Sequence, residues 1–495
     1  MDGTTWTLVA FSAYLVVVVG LGLYASRMSS AGVTEFFLGG RRLGRLVVAL
    51  SAVVSGRSAW LLLGFAGMAW SLGVQALWAA VGYVAVEGVL FLSFALRLRR
   101  FSERYDVLTI PDFFAVRFRD GGALRVLTVC VILVFLVLYV GAQLLSGGKT
   151  LAPSFGIEPS MAVAITAAVV LVYTVLGGFL AVSLTDMVQA FVMIAGLVAL
   201  PIIAIVDVGG FGALFERLGG IDPTLPDPGA LAIGALIGFL GIGLGSPGQP
   251  HIVARYMAIE DPSQLRWAAV VGTAWNAVMA TGALFVGLCG RIAYPLASDL
   301  PGGDKEQIYL VLAGDALPPV LFGIIVASVF AAIMSTADSQ ILVCASSVVR
   351  DLLEALVRKG RPLPADRAVR MSRLVVILIV VLALGLGYLA QKSIFWLVLL
   401  AWAGLGAALG PVTILALYWR GTTRAGALAG VAAGTLVTTV WDRVESLNDM
   451  LYELVPGFAA AFLACFAVSL LTRPPEGVDE MFAVMDGDDG EGDAS

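Results

Sequence analysis

Long apolar runs with almost no charged residue recur along the whole 495-residue chain. Each run is close to the roughly 20 residues that a helix needs to cross the hydrocarbon core of a bilayer. Charged residues make up only 13% of the chain, whereas soluble domains contain about 25%. The sequence therefore predicts an all-α polytopic membrane protein whose outer surface contacts lipid.

The apolar runs divide into thirteen predicted spans. Their approximate limits are 4–26, 46–72, 74–98, 123–145, 161–181, 183–206, 229–250, 266–290, 318–347, 371–390, 394–418, 425–442 and 451–472. With the N-terminus outside, most of the 30 lysines and arginines fall in loops on the inner side, as the positive-inside rule requires. One span more or less would reverse every later loop. The pattern predicts a multi-pass protein of the cell (inner) membrane with a cytoplasmic C-terminus.

Residues 1–472 are interpreted as a single transmembrane domain, and the acidic segment 473–495 as a disordered cytoplasmic tail. No basic patch suggests a nucleic-acid partner. No nucleophile–base constellation or phosphate loop suggests an enzyme. Nothing in the sequence indicates an obligate protein partner.

Two of the predicted spans are interrupted. The second has Ser55, Gly56, Arg57 and Ser58 at its middle, and the seventh has four glycines and two prolines within 241–250. Irregular backbone at membrane depth is tolerated only where it is buried in protein or lines a cavity. The broken spans open two blocks of five, 46–206 and 229–418, and an odd repeat length inverts the second block. This pattern favours a five-plus-five inverted-repeat transporter with its binding site between the breaks; two packing kinks are the alternative.

Few ionisable residues lie within the spans, and each is a functional candidate because burying charge in lipid is costly. Arg57 needs a partner, for which we expect the solute carboxylate, Asp338 or Asp186. Asp186 follows two glycines near a helix start, so a role in coupling and simple stabilisation by the helix N-terminus are both open. Glu87 could pair with a neighbouring helix, and its role stays open between a structural one and an unknown one.

The ninth span carries a polar face. Ala332, Ser335, Thr336 and Ser339 recur at helical spacing, and their hydroxyl and carbonyl oxygens suit a hard cation such as sodium. The alternative is that the hydroxyls bond back to their own helix. Around the two breaks, the predicted solute-binding residues are Ser55, Gly56, Ser58, Trp60, Tyr139, Ser246 and Gln249. For Trp60 and Tyr139 the alternative is that they are packing aromatics.

Four segments give the chain a family resemblance. They are Leu108–Phe114, Tyr173–Gln189, Gly248–Arg255 and Met334–Cys344. With these, the chain resembles the sodium:solute symporters, and most of all their sodium/proline branch, from about residue 5 to 472. The resemblance implies one helix before the ten-helix core and two after it. Within that branch, Gly56 stands where an aspartate is usual, and Arg57 where the residue is usually neutral.

The resemblance also implies two cation sites. The first would use the backbone carbonyls of Val54, Arg57 and Ala332 with the hydroxyls of Ser335 and Thr336. A second, present in some members, would use Asp186, Ser335, Asp338 and Ser339.

The function implied is sodium-coupled import of a small carboxylate-bearing solute, such as the amino acid proline, by alternating access. Sodium-independent exchange and proton coupling remain alternatives, with Arg57 standing in for the cation. A transporter-like membrane sensor is a third alternative, which the short acidic tail disfavours because such receptors append a kinase region.

Overall fold

The protein is a bundle of membrane-length helices. The computed structural model describes residues 3–28, 37–389 and 393–488, and within these ranges it contains helices and no β-strand. Every one of the thirteen predicted spans corresponds to a helical segment, numbered α1–α13 here. The all-α prediction and the number of spans are therefore confirmed.

The helices have the following bounds. They are α1 Gly3–Met28; α2 Arg45–Ala59, continued by a π-helical turn Trp60–Phe65 and by Ala66–Leu72; α3 Leu77–Arg104; α4 Ala123–Phe155; α5 Pro159–Val175; α6 Gly178–Val208; α7 Ile233–Gly241, a 3-10 segment Ile242–Gly248 and Pro250–Met257; α8 Leu265–Ala293; α9 Pro319–Ser346, continued as a π-helix over Ser347–Val357; α10 Ala365–Leu389; α11 Ile394–Tyr418; α12 Arg424–Arg443; and α13 Leu454–Leu470. Short helices lie between them at Ile110–Arg117, Gly210–Ile221 and Ile308–Ala316.

Eight helical segments of the described chain are long and apolar enough to cross a membrane, and one of them, Arg45–Arg104, covers both α2 and α3. α9 lies at the centre and packs against α1, α2, α4 and α6. Glycines allow the closest helix contacts. A Cβ atom on Gly282 of α8 would stand 1.8 Å from the carbonyl oxygen of Leu197 on α6, so only glycine permits this approach.

Several helix boundaries differ from the sequence prediction by six to ten residues, and two differences bear on the site. α5 and α6 join without a loop, because Gly178 takes a left-handed φ of 63° and turns the chain within one continuous helical run. α7 continues to Met257, seven residues beyond the predicted end at 250. Pro250 restarts the helix at its first position, where the missing N–H costs nothing. Arg255 therefore lies inside the bundle and not in an inner loop.

The acidic tail also differs from its prediction. The composition of residues 473–495 predicts disorder, but Val478–Asp486 form a helix whose Met481, Phe482 and Met485 are buried. This C-terminal helix packs against α3. Residues 489–495 lie outside the described residues.

Arginines hold the C-terminal helix in place. The Phe482 ring centroid lies 5.3–5.5 Å from the guanidinium carbons of Arg97, Arg117 and Arg420, and Arg97 forms an ion pair of 2.7 Å with Asp486. Cation–π contacts and apolar burial thus order a segment that composition alone marks as disordered.

Candidate functional site

The helix of α2 breaks at Ser58, inside the predicted interruption. Ser58 has φ 51° and ψ −175°, a conformation that costs free energy in a non-glycine residue. Polar contacts compensate for it. The Ser58 hydroxyl accepts the N–H of Trp60 at 3.0 Å, and the side-chain carbonyl of Gln143 on α4 accepts the N–H of Ala59 at 3.1 Å.

The break in α7 is stabilised from α11. The indole N–H of Trp402 donates to the carbonyl of Ile242 at 2.8 Å. The side-chain amide of Gln249 donates to the Trp402 carbonyl at 3.0 Å. A Cβ atom on Gly245 would stand 2.0 Å from the Trp402 Nε1 atom, so glycine is required where the two helices meet.

A small cavity lies between the two breaks. Three of the predicted solute-binding residues line it, Gly56, Trp60 and Tyr139, together with Arg57. The rest of its lining is Ile242, Val398, Leu399 and Trp402. The structure thus brings the middle of α2 and the start of the α7 break together, with walls from α4 and α11.

The other four predicted solute-binding residues do not line this cavity, and three of them form hydrogen bonds within the protein. The Ser55 hydroxyl donates to Asp186 at 3.2 Å and lies 3.3 Å from the Ser339 hydroxyl. Ser58 and Gln249 satisfy backbone groups at the breaks. Ser246 is buried, and its hydroxyl has no hydrogen-bond partner among the described residues.

A second cavity of about 680 Å³ lies next to the first, on the side of the bundle that carries Asp304 and Glu306. Ile242 and Leu399 line both cavities. Phe395, which lines the larger one, stacks on Trp60 with ring centroids 5.8 Å apart. A thin apolar layer therefore separates the large cavity from the space between the breaks.

Oxygen atoms of α2 and α9 converge where the first cation site is expected. The hydroxyls of Ser335 and Thr336 lie 3.5 and 3.4 Å from the carbonyl oxygen of Val54, and Ser335 lies 3.2 Å from the carbonyl of Ala332. These separations are longer than the 2.5–3.0 Å typical of O–H···O bonds. The Arg57 carbonyl accepts the N–H of Trp60.

The residues expected at the second cation site surround a buried guanidinium. Arg255 of α7 is fully buried, and one of its Nη atoms lies 3.2 Å from Asp186 Oδ2 and bonds to the Ser339 hydroxyl. Its Nε donates to Ser51 at 3.0 Å, and Ser51 donates to Asp186 at 2.6 Å. Asp186 is therefore stabilised by an ion pair and by hydroxyl donors, not by a helix terminus.

Asp338 lies beside this cluster without a cation of its own. The Ser339 hydroxyl is 3.3 Å from its Oδ1, and its Oδ2 has no hydrogen-bond partner in the described part of the chain. Asp186 and Arg255 both act on it electrostatically. The cluster thus contains two buried carboxylates and one guanidinium.

Arg57 does not pair with either aspartate, so that part of the sequence prediction is wrong. Its guanidinium forms a buried ion pair with Glu87 of α3, and its carbon lies 4.4 Å from the centroid of the Tyr83 ring. Which helix faces α2 on this side is a property of tertiary packing, and spacing along the chain does not reveal it. Glu87 thus pairs with a neighbouring helix, which is one of the possibilities that the sequence left open.

Sequence reasoning missed three residues of the site: Gln143, Arg255 and Trp402. Gln143 had a usable signal, since it is a lone amide in the apolar run of α4. His251 also lies beside the cavity lining. The side chain is buried, and its ring meets the Tyr139 ring edge-on with centroids 6.2 Å apart.

The model of the sodium:solute symporter family matches residues 36–434, which is most of the chain. The chain belongs to this family. It is therefore a sodium-coupled secondary transporter and not an enzyme.

Two relatives of this symporter are similar over nearly their whole length. The osmoregulated proline transporter OpuE of Bacillus subtilis is 36% identical over 97% of this chain and 98% of its own. A sodium/proline symporter of Staphylococcus aureus is 34% identical over 96% of this chain and 94% of its own.

Solved structures share the fold of the symporter. A Na+-coupled sialic acid symporter in a substrate-bound outward-open state superposes with a TM-score of 0.81 at 17% identity, covering 96% of this chain and 99% of that one. A nucleobase-cation-symport-1 family transporter superposes with a TM-score of 0.58 at 14% identity, covering 91% and 98%. The predicted inverted-repeat architecture with two broken helices is confirmed, whereas the repeat limits 46–206 and 229–418 stay predictions.

Proposed function

We propose that the symporter imports L-proline, or a closely similar small carboxylate-bearing amino acid, together with sodium. The observation that carries this proposal is the full-length similarity to two proline transporters, at 36% and 34% identity. The geometry of the site supports cotransport, because the proposed cation site and the proposed solute cavity lie on two sides of the same stretch of α2.

The first sodium ion binds between α2 and α9. Its ligands are the carbonyls of Val54, Arg57 and Ala332 and the hydroxyls of Ser335 and Thr336. Support comes from the long separations of 3.4 and 3.5 Å between those hydroxyls and the Val54 carbonyl. Oxygen atoms that share a cation stand farther apart than hydrogen-bonded ones, and sodium replaces the long contacts with direct coordination.

A second cation binds at Asp186, Ser335, Asp338 and Ser339. Support comes from the charge of the cluster, since two buried carboxylates face the single guanidinium of Arg255. Buried charge without a counter-charge is strongly unfavourable. A cation at the free oxygen of Asp338 supplies the missing positive charge, and the hydroxyls complete a hard-oxygen ligand set.

The solute binds between the breaks of α2 and α7. Gly56, Trp60 and Tyr139 contribute the described walls, while Ser55, Ser58, Ser246 and Gln249 shape or border the space in the states that open it. Two buried N–H donors beside the cavity, Arg57 Nε and Trp60 Nε1, have no acceptor among the described residues. A carboxylate has the acceptor atoms that these donors need.

The protein lies in the cell membrane, with its N-terminus outside and its C-terminus in the cytoplasm. The excess of lysine and arginine in the loops assigned to the inner side supports this orientation. The large cavity beside Glu306 then opens outward, so solute enters from outside and passes the Phe395–Trp60 layer.

The test is uptake into proteoliposomes of purified protein, with labelled L-proline and a panel of amino and organic acids. We expect L-proline accumulation that depends on an inward sodium gradient and collapses when potassium replaces sodium. Sodium-dependent uptake of another compound in preference to L-proline would correct the substrate. Uptake that is indifferent to sodium, while a proton gradient drives it, would refute the sodium coupling.

A further inference from the structure

The Arg57–Glu87 ion pair lies at the wall of the proposed solute cavity. Arg57 is 2% exposed and Glu87 3% exposed, and neither forms another ion pair among the described residues. Arg57 lines the cavity together with Trp60 and directly precedes the break at Ser58. A paired positive and negative charge is therefore held in a low-dielectric region next to the solute.

The ion pair with Glu87 leaves at least one N–H donor of the Arg57 guanidinium without an acceptor among the described residues. Arg57 Nε is buried and has no acceptor in the described part of the chain, although a guanidinium carries five N–H donors. The Tyr83 ring covers one face of it at 4.4 Å, which fixes the plane of the fork. The free edge can therefore bind a carboxylate while Glu87 keeps its own contact.

We propose that the Arg57–Glu87 pair makes the solute site selective for solutes of zero net charge that carry a carboxylate, which means zwitterions. This inference rests on the proposed function. Arg57 attracts the carboxylate, and Glu87 balances Arg57, so a zwitterion leaves the site neutral. A solute that is only an anion or only a cation adds an uncompensated charge in a region where charges interact strongly.

Three compounds with the same five-membered ring separate these cases. At pH 7, L-proline is a zwitterion, tetrahydrofuran-2-carboxylate is an anion and L-prolinamide is a cation. Their affinities are measured on purified protein in sodium chloride, by competition with labelled L-proline and by thermal stabilisation. We expect the wild type to bind L-proline at least about tenfold more tightly than either ion.

Neutralising one member of the pair should change the preferred charge. Glu87→Gln leaves a net positive site, so the affinity ratio should shift by about tenfold towards tetrahydrofuran-2-carboxylate. Arg57→Gln leaves a net negative site, and the ratio should shift by a similar factor towards L-prolinamide. The double variant should restore the order of preference, with weaker L-proline binding. A merely structural pair would change stability but not these ratios.

The matched control is the exposed pair Arg370–Asp366, which lies on α10 with both side chains more than two-thirds exposed. Arg370→Gln and Asp366→Asn should change no ratio. Unchanged ratios in Glu87→Gln and Arg57→Gln proteins that still bind L-proline would overturn the inference and leave the proposed function standing. A wild type that binds none of the three compounds would overturn the proposed function, and the inference with it.

Either single variant can fail to fold, because it leaves a buried charge without its partner. Two further variants then give the answer. Glu87→Asp keeps both charges and should bind L-proline within a few-fold of wild type. The uncharged double variant should lose at least about tenfold in L-proline affinity. Equal affinities of the double variant and the wild type would overturn the inference.

Discussion

Replacing Asp186 with asparagine tests the buried pair that joins α6 to α7. The change removes one charge and keeps the shape of the side chain. Arg255 is then left fully buried, with Ser51, Ser339 and the His251 carbonyl as neutral acceptors. The wild-type separation is 3.2 Å between the Nη and Oδ2 atoms. Charges about 4 Å apart attract by roughly 4 kcal/mol at an effective dielectric constant of 20.

Breaking such a pair from one side typically destabilises a protein by about 3–5 kcal/mol. The Asp338 carboxylate also attracts Arg255, so we expect the lower end, about 3 kcal/mol. That value corresponds to a fall in Tm of roughly 5 °C, extended from the few degrees per kcal/mol seen in smaller domains. The assay is thermal unfolding of the detergent-purified protein, followed by the loss of the monodisperse chromatographic peak.

Two comparisons make this result specific. Asp261→Asn introduces the same substitution at an exposed position and should leave Tm unchanged. The double variant Asp186→Asn with Arg255→Gln should recover part of the loss, because no guanidinium then remains buried without its partner. The recovery should be incomplete, because Asp338 then loses the guanidinium that acts on it. The reasoning is refuted if the Tm of Asp186→Asn equals that of Asp261→Asn.

Three further perturbations address other parts of the molecule. Alanine at both Ser335 and Thr336 should raise the sodium concentration for half-maximal uptake by roughly tenfold without lowering protein abundance. The control Thr413→Ala removes a hydroxyl bonded to its own helix and should leave that sodium concentration unchanged. The same sodium dependence in the double variant and the control would show that the two hydroxyls do not bind sodium. Gly282→Ala should sharply reduce the amount of folded protein, because its Cβ atom would stand 1.8 Å from the Leu197 carbonyl oxygen. The control Gly385→Ala should be tolerated, because a Cβ atom there has no other atom within 4 Å. Normal expression of Gly282→Ala would contradict the packing of α6 on α8. Phe482→Ala should release the C-terminal helix and speed cleavage at Glu480 by a glutamate-specific protease in inside-out vesicles. Phe462→Ala is the control. Equal cleavage rates in the two variants would show that the C-terminal helix does not depend on the Phe482 ring.

The sequence was sufficient for the spans and for the breaks because both have local causes. Hydropathy over about 20 residues marks a span, and the density of glycine and proline marks the interruption of α7. The break of α2 lies at Ser58, within the polar stretch that pointed to it. The face formed by Ser335 and Thr336 follows from helical spacing alone.

The partners of buried charges could not be predicted in the same way. Arg57 pairs with Glu87 and Arg255 pairs with Asp186, and each pairing depends on which helices are neighbours in space. The predicted end of the seventh span at residue 250 also places Arg255 in a loop, because hydropathy alone does not reveal that α7 resumes after Pro250. The C-terminal helix was missed for a related reason: its few apolar residues dock onto arginines from distant parts of the chain.

Each break is stabilised by hydrogen bonds from a helix that is itself unbroken. This arrangement would couple the two proposed ligand sites to a single movement of α2 and α7. Gln143 on α4 fixes the backbone at Ala59, and Trp402 on α11 fixes the backbone at Ile242. If α2 and α7 move relative to α4 and α11, these contacts must break or be exchanged, at a net cost of about 0.5–1.5 kcal/mol for each hydrogen bond.

The same segment of α2 supplies the Val54 carbonyl to the proposed cation site and Gly56 and Trp60 to the proposed solute cavity. A cation that holds Val54 against α9 therefore restricts the position of the solute walls only a few residues away. Coupling requires that each ligand change the affinity for the other by the same factor. A single short segment that contributes to both sites meets this requirement without a long pathway through the bundle.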